Sequence, residues 1–208
     1  MDSDFKYVVI VTGFGPFGDH VINASWEAVK ELSKLHADSK EFIDVKLIVE
    51  EIPVSYDDVA SYVPKLWKEY NPTVILHVGV SHKVDCLTIE CCAHSNGYER
   101  PDIYDKCPDE SKITQEVLIT NVDAHKICDT INENSMETEC SACVSYDAGR
   151  FLCEYVFYQS LHIEPTKVLF VHVPDFTTYS SLRTAKGLLH ILRCMIKCYV
   201  HTNLSYPR

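Results

Sequence analysis

Short apolar runs alternate with longer amphipathic stretches along this sequence, and this alternation restricts the fold more than any other feature. The apolar runs have the length of buried strands, and the stretches between them repeat apolar residues at helical spacing. Such a pattern is typical of an α/β domain around a largely parallel sheet. The predicted strands span residues 7–12, 45–51, 74–80, 86–92, 143–145 and 167–173. The predicted helices span residues 25–35, 56–70, 122–132, 150–161 and 180–199.

No internal repeat, low-complexity tract or linker interrupts this pattern, so we expect residues 1–208 to form a single domain. Between residues 96 and 114 the pattern gives way to polar sequence that contains Gly97, Pro101 and Pro108. A loop of this length inside a compact domain often serves as a lid or a binding segment.

The charge of the chain argues against two classes of partner. Its formal net charge is −11, whereas proteins that bind nucleic acid or anionic membranes concentrate lysine and arginine. No apolar run approaches the roughly 20 residues that span a bilayer, and the N-terminus lacks the basic start and long apolar stretch of a secretory signal. We therefore expect a cytosolic protein without nucleic-acid or membrane partners, whose ten cysteines are free thiols.

The first glycine-rich segment, TGFGPFG at residues 12–18, follows the first predicted strand directly. Its glycines match the dinucleotide-binding fingerprint, but there the helix opens within the glycines. Here Asn23 or Ser25 is the better helix cap, and Phe14 and Phe17 crowd the space that a phosphate would need. A purely structural turn is one alternative. A loop that presents two aromatic rings to an uncharged ligand fits the composition better.

The cysteines do not predict a metal site. Cys140 and Cys143 form a single CxxC pair, and Cys91 and Cys92 lie close to His94. A structural zinc site usually needs two such well-spaced pairs, so we expect no metal.

Three residues that are far apart in the sequence have the chemistry of a thiol hydrolase. Cys153 falls in the first turns of a predicted helix, after the small residues Ala148 and Gly149, where helix N–H groups favour a thiolate and can hold an oxyanion. His172 lies at the carboxyl end of a predicted strand, where α/β proteins place their ligand sites. Glu90 lies among apolar residues and needs a partner. Taken singly, each is more often a structural residue.

Together these segments resemble pyroglutamyl-peptidase I, a family of cysteine peptidases that remove N-terminal pyroglutamate, and especially its animal members. The resemblance runs through TGFGPFG, NASW, EIPV, LHVGVS, TIECC, DAGRFLCEY and FVHVP. It implies a three-layer αβα sandwich, no cofactor, and substrates that are peptides with an N-terminal pyroglutamyl residue. It also implies a nucleophile at Cys153, a base at His172 and a glutamate at Glu90 that orients the base.

The resemblance further assigns a substrate pocket to Phe14, Phe17 and Phe151. Arg100 resembles an active-site arginine of bacterial members, while Val80 stands where some of them have glutamine. Because animal members are often single chains, we expect a monomer.

Two alternatives remain at this point. A non-catalytic module for capped N-termini or cyclic amides would use the same pocket without cleavage, and a nucleotide-binding protein would use the glycine-rich segment.

Overall fold

The computed structural model describes residues 5–18, 21–108 and 116–205. The strands are β1 Tyr7–Phe14, β2 Val45–Ile52, β3 Val74–Val80, β4 Leu87–Glu90, β5 Cys92–His94, β6 Val117–Ile119, β7 Ala142–Ser145 and β8 Val168–Val173. The helices are α1 Ala24–Asp38, α2 Tyr56–Tyr70, α3 Ala124–Glu133, α4 Ser135–Thr138, α5 Leu152–Ile163 and α6 Ser181–Ser205, with a short 3₁₀ turn at Lys40–Phe42.

Six strands form the main sheet in the order β2-β1-β3-β8-β4-β7. Strands β1, β2, β3 and β8 run parallel to one another, whereas β4 is antiparallel to β8 and parallel to β7. The first four strands in this order are therefore all parallel, and the pair β4–β7, which runs in the opposite direction, forms one edge. Strands β5 and β6 pair separately as an antiparallel ribbon.

Helices cover both faces of the main sheet. Along β1, Val9 belongs to an apolar cluster with α1, α3 and α6, while the next residue, Ile10, belongs to a second cluster with α2 and α5. Successive strand residues point to opposite faces, and both faces are buried, which explains the continuous apolar runs of the parallel strands. The predicted αβα sandwich is confirmed.

The structure departs from the predicted elements in a few places. The predicted strand 86–92 is interrupted at Cys91, because the chain leaves the main sheet after Glu90 and pairs with β6. Neither β6 nor the short helix α4 was predicted, and α6 continues to Ser205 rather than ending at residue 199. None of the helices in the described part of the chain is long and apolar enough to cross a membrane.

Candidate active site

Cys153 is the second residue of α5, at the helix end that faces the carboxyl ends of the parallel strands. Phe151 caps this helix without a side-chain hydrogen bond, and the first bond of the helix runs from the Tyr155 N–H to the Phe151 carbonyl at 3.0 Å. The N–H groups that precede Tyr155 in α5 have no acceptor within the helix. The thiol thus lies beside backbone donors that favour negative charge.

Two neighbouring strands bring a histidine and a glutamate together. β4 and β8 are antiparallel, with Thr88 opposite His172 and Glu90 opposite Phe170. His172 Nδ1 donates to Glu90 Oε1 at 2.7 Å, and both side chains are buried. Glu90 Oε2 has no hydrogen-bond partner among the described residues. Oε1 is therefore the carboxylate oxygen through which Glu90 binds the imidazole.

The Cys153 thiol lies close enough to the same imidazole to interact with it electrostatically, so the structure brings the three predicted residues into one chain of contacts. Burial by itself lowers the pKa of His172. The interactions with Cys153 and with Glu90 outweigh burial and raise the pKa of His172 to about 10. This environment stabilises the imidazolium form of His172.

Gly79 on β3 has no side chain, and the Cys153 thiol occupies the space that a side chain would fill. Gly79 lies opposite His172 in the β3–β8 register. A Cβ atom at this position would lie 2.7 Å from Cys153 Sγ and 2.7 Å from Phe170 Cζ. Any larger residue at position 79 would displace the sulfur.

A cavity of about 260 Å³ opens next to Cys153. Its lining includes all four residues predicted for the pocket, together with apolar side chains from two further segments: Phe14, Phe17, Phe151, Arg100, Val54 and Val80. The cavity is mostly apolar, with the thiol at one wall, which suits a small uncharged ring.

Hydrogen bonds to the start of α1 hold the first loop of the cavity. Asn23 accepts from the Ser25 N–H at 3.0 Å and donates to the Gly15 carbonyl at 2.9 Å. The Phe14 N–H in turn donates to Ser25 Oγ at 3.1 Å. The loop that carries Phe14 is therefore held in place by the cap of α1, and Asn23 is confirmed as that cap.

A second wall comes from the segment predicted as a lid. The Arg100 guanidinium lies 4.2 Å from the centre of the Phe151 ring. Two residues later, Asp102 accepts hydrogen bonds from the N–H groups of Tyr56, Tyr104 and Lys106. This part of the segment is attached to the start of α2, while residues 109–114 of the predicted lid lie outside the described residues.

The family model for pyroglutamyl peptidase matches residues 7–191. Pyroglutamyl-peptidase 1 of Homo sapiens is 36% identical over 195 residues, which cover 92% of this chain and 90% of that protein. The crystal structure of pyroglutamyl peptidase I from Bacillus amyloliquefaciens superposes with a TM-score of 0.78 at 25% identity, covering 94% of this chain and 98% of the other. The chain belongs to the pyroglutamyl peptidase family.

Membership in this family makes the chain a cysteine-type peptidase and confirms the resemblance to its animal members.

The structure gives little support to nucleotide binding by the glycine-rich segment or to metal binding by the cysteines. α1 begins at Ala24, well beyond the glycines of the first loop, which is unlike the dinucleotide fingerprint. Cys140 donates to the Arg183 carbonyl, whereas Cys143 lies against Cys86. Within the described ranges, no group of three metal-ligating side chains occurs.

Sequence reasoning missed a network that fixes the start of α5 in this family member. Glu154 is fully buried, accepts from Arg150 Nη1 with both carboxylate oxygens at 3.0 Å, and accepts from His94 Nδ1 at 2.8 Å. Arg150 also donates to Asp147 Oδ1 at 2.9 Å. We call these four residues the α5 clamp. The sequence does contain a signal for this clamp, because Arg150 and Glu154 are four residues apart and face the same side of a helix start.

Proposed function

We propose that this protein hydrolyses the peptide bond that follows an N-terminal pyroglutamyl residue, with Cys153, His172 and Glu90 acting as a triad. The observation that carries the proposal is the chain of contacts from thiol to imidazole to buried carboxylate at the wall of an apolar cavity. The human and bacterial relatives carry the names pyroglutamyl-peptidase and pyrrolidone-carboxylate peptidase, which support the same substrate.

The cavity suits this substrate because pyroglutamate is a lactam. Its amine is closed into a five-membered ring and has no charge. The acidic residues with which ordinary aminopeptidases bind an ammonium group are therefore not needed. The rings of Phe14, Phe17 and Phe151 line the cavity next to the thiol. Aromatic walls of this kind bury an uncharged ring.

In the proposed reaction, the Cys153 thiolate attacks the pyroglutamyl carbonyl, and the N–H groups at the start of α5 hold the resulting oxyanion. The His172 imidazolium gives its proton to the departing amine, leaving a thioester on Cys153. His172, now neutral, removes a proton from water, which attacks the thioester and releases pyroglutamate. Glu90 keeps the ring of His172 in one tautomer and stabilises its charged form.

The groups that carry the proposed reaction all come from one chain, so we expect a monomer to be active. Sedimentation of the active enzyme at assay concentration measures this, and activity confined to a larger species would contradict it. The cytosolic location stays a prediction from the sequence.

A fluorogenic pyroglutamyl amide tests the function, with the corresponding prolyl amide as substrate control. We expect wild-type protein to release the fluorophore from the first amide alone. Cys153→Ser should lose at least about 10³-fold in kcat, because a serine hydroxyl is far less ionised than a thiol. Cys107→Ser is the matched control, since Cys107 is an exposed cysteine that donates to the Glu99 carbonyl away from the triad.

Binding of the pyroglutamyl amide without turnover would favour the non-catalytic binding module instead. Turnover by Cys153→Ser at half the normal rate would remove Cys153 from the mechanism.

A further inference from the structure

Two other cysteines lie in contact at the edge of the main sheet. Cys86 Sγ donates to Cys143 Sγ across 3.4 Å, and the Thr88 hydroxyl contacts Cys143 Sγ at the same distance. Cys143 is exposed and Cys86 is half-buried, so small molecules in solution can reach the pair. Neither cysteine lines the cavity next to Cys153.

Strand pairing, rather than chance packing of flexible side chains, places the two sulfurs together. Cys143 lies on the edge strand β7, opposite Thr88 of β4 in the parallel register. Cys86 lies in the bend just before β4, and the N–H of the next residue, Leu87, donates to the Ser141 carbonyl just before β7 at 3.0 Å. This backbone pairing holds Cys86 beside the start of β7, with its sulfur 3.4 Å from that of Cys143.

We propose that Cys86 and Cys143 are an oxidation site, at which a low-molecular-weight disulfide converts the two thiols into a disulfide that links the bend before β4 to β7. The two sulfurs are 3.4 Å apart in the reduced pair, and the bond requires them to approach to about 2.05 Å. The site does not depend on the activity proposed for Cys153.

The chemistry is thiol–disulfide exchange in two steps. The Cys143 thiolate attacks one sulfur of a reagent disulfide such as oxidised glutathione, whose S–S bond breaks and releases one thiolate. Cys86 then loses its proton to water and attacks the Cys143 sulfur, which expels the second thiolate. Two protein thiols are oxidised, and one reagent disulfide is reduced to two thiols.

The order of attack follows from the surroundings. Burial, followed by the neighbouring Cys143, raises the pKa of Cys86 to about 12. Cys143 is the exposed member of the pair, so a reagent in solution reaches its sulfur first. Once Cys143 carries the adduct, its charge no longer opposes ionisation of Cys86.

Several other cysteines lack this combination of contact with a second thiol and access to reagents in solution. Cys92, Cys128 and Cys140 are buried and donate to backbone carbonyl groups. Each is therefore shielded from reagents and committed to a hydrogen bond.

The link would close a loop between residues that are 57 positions apart. It would tie together the two strands whose ends lead to Glu90 and to the turn before Cys153. A cross-link over a loop of this length stabilises a protein mainly by restricting the unfolded chain. We expect the thermal midpoint to rise on the order of 5 °C in the oxidised protein.

The test incubates the full chain with oxidised and reduced glutathione in defined ratios, followed by alkylation, digestion and mass spectrometry. The expected product joins Cys86 to Cys143 and has lost two hydrogen atoms. Cys86→Ser should instead retain a glutathione adduct on Cys143, because the resolving thiol is missing. Cys143→Ser should give no cross-link at residue 86, and Cys107→Ser should behave like wild type.

Three results would each overturn the proposal. The first is a pair that stays reduced in a buffer that fully oxidises dithiothreitol. The second is a cross-link that joins Cys86 or Cys143 to another cysteine instead. The third is a rise in the thermal midpoint that persists in Cys86→Ser.

Discussion

His172 owes its charge state to two neighbours that oppose the effect of burial. The charge interaction with Cys153 and the interactions with Glu90 together raise the pKa of His172 to about 10 although the ring is buried. In the proposed reaction, a histidine held as imidazolium has a proton ready for the leaving amine. The proposal therefore gives the Glu90 carboxylate the task of supporting this charge in addition to orienting the ring.

Replacing Glu90 with glutamine tests that role at the level of one charge. In Glu90→Gln the imidazolium loses its carboxylate, so the pKa of His172 falls and the alkaline limb of the kcat/KM profile moves to lower pH. We expect kcat to drop by about 10²-fold, less than in Cys153→Ser, because the carboxylate of a triad contributes less than the nucleophile or base. A pH–rate series on a pyroglutamyl amide measures both effects.

Glu137→Gln is the control for this series, because Glu137 also pairs with a histidine, His190 at 3.3 Å, away from the cavity. An alkaline limb in Glu90→Gln that coincides with that of wild type would contradict the proposed role.

Gly79→Ala probes the space around the sulfur. The added methyl group would overlap Cys153 Sγ and Phe170 Cζ, each 2.7 Å away. We expect at least about a tenfold loss of activity and a destabilisation of about 1–3 kcal/mol from overpacking. In a Cys153→Ala background one of the two overlaps disappears, so the same substitution should destabilise less. Urea unfolding of the four proteins measures this coupling, and equal destabilisation in both backgrounds would argue against contact with the sulfur.

At the scale of elements, the start of α5 depends on the clamp formed by Asp147, Arg150, Glu154 and His94. The clamp ties the turn before Cys153 to β5, because His94 lies on that strand. Gly149 in the turn has φ +84°, a left-handed conformation that favours glycine. The position of Cys153 is thus set by groups that do not touch the cavity.

Glu154→Gln should loosen this element. The variant keeps the shape of the side chain but removes the charge that Arg150 and His94 share. Since Arg150 is partly exposed, we expect a loss of about 2 kcal/mol in the free energy of unfolding, with a fall in kcat as the start of α5 shifts. Glu164→Gln at the other end of α5 is the control, because its carboxylate accepts from the N–H and hydroxyl of the nearby Thr166, away from the clamp. Unchanged stability in urea for Glu154→Gln would show that the clamp is not needed.

Elements with strong local patterns were predictable, and those made by distant contacts were not. Helix α2 has the predicted bounds because its apolar period and its Ser55 cap are local signals. The three-residue strands β5 and β6 are too short to show a period, and they exist because the chain turns away from the main sheet after Glu90. Likewise, nothing in the sequence of β4 predicts that this strand pairs antiparallel with β8.

The candidate site likewise has residues that local sequence patterns indicate and features that depend on distant contacts. Cys153 and His172 had local signals, a helix start and a strand end, but their meeting with Glu90 was inferred only through the resemblance to a family. The need for glycine at position 79 arises from a sulfur that is 74 residues away in sequence and 2.7 Å from the missing Cβ. No pattern in the strand itself contains that information.

At the scale of the whole molecule, one buried histidine joins two strands of the sheet to the two helices that cover one of its faces. His77 of β3 bonds through Nδ1 to the Thr12 hydroxyl of β1 and through Nε2 to the Ser160 hydroxyl of α5, both at 2.7 Å. Ser160 also accepts from Trp67 Nε1 of α2 at 3.0 Å. Two strands and two helices therefore meet at a ring that is completely buried.

This ring should make the whole fold sensitive to acid. Burial lowers the pKa of His77 from 6.5 to about 3, so between these values the unfolded chain binds a proton that the folded protein excludes. Stability from this group is complete above pH 6.5 and falls on acidification, by about 2 kcal/mol between pH 7 and pH 5. His172 has the opposite sign: its raised pKa gives stability that is complete below pH 6.5 and is lost as the pH rises toward 10.

Urea unfolding of wild type and His77→Gln at pH 7, 6 and 5 separates these contributions. We expect the variant to be less stable at pH 7 but to lose less stability on acidification, because glutamine keeps polar atoms near Thr12 and Ser160 and has no proton to gain. His125→Gln is the control, since His125 is exposed on α3 and forms a hydrogen bond with the Tyr146 hydroxyl. If His77→Gln lost stability between pH 7 and pH 5 as steeply as wild type does, the acid sensitivity of the fold would have to arise from other groups.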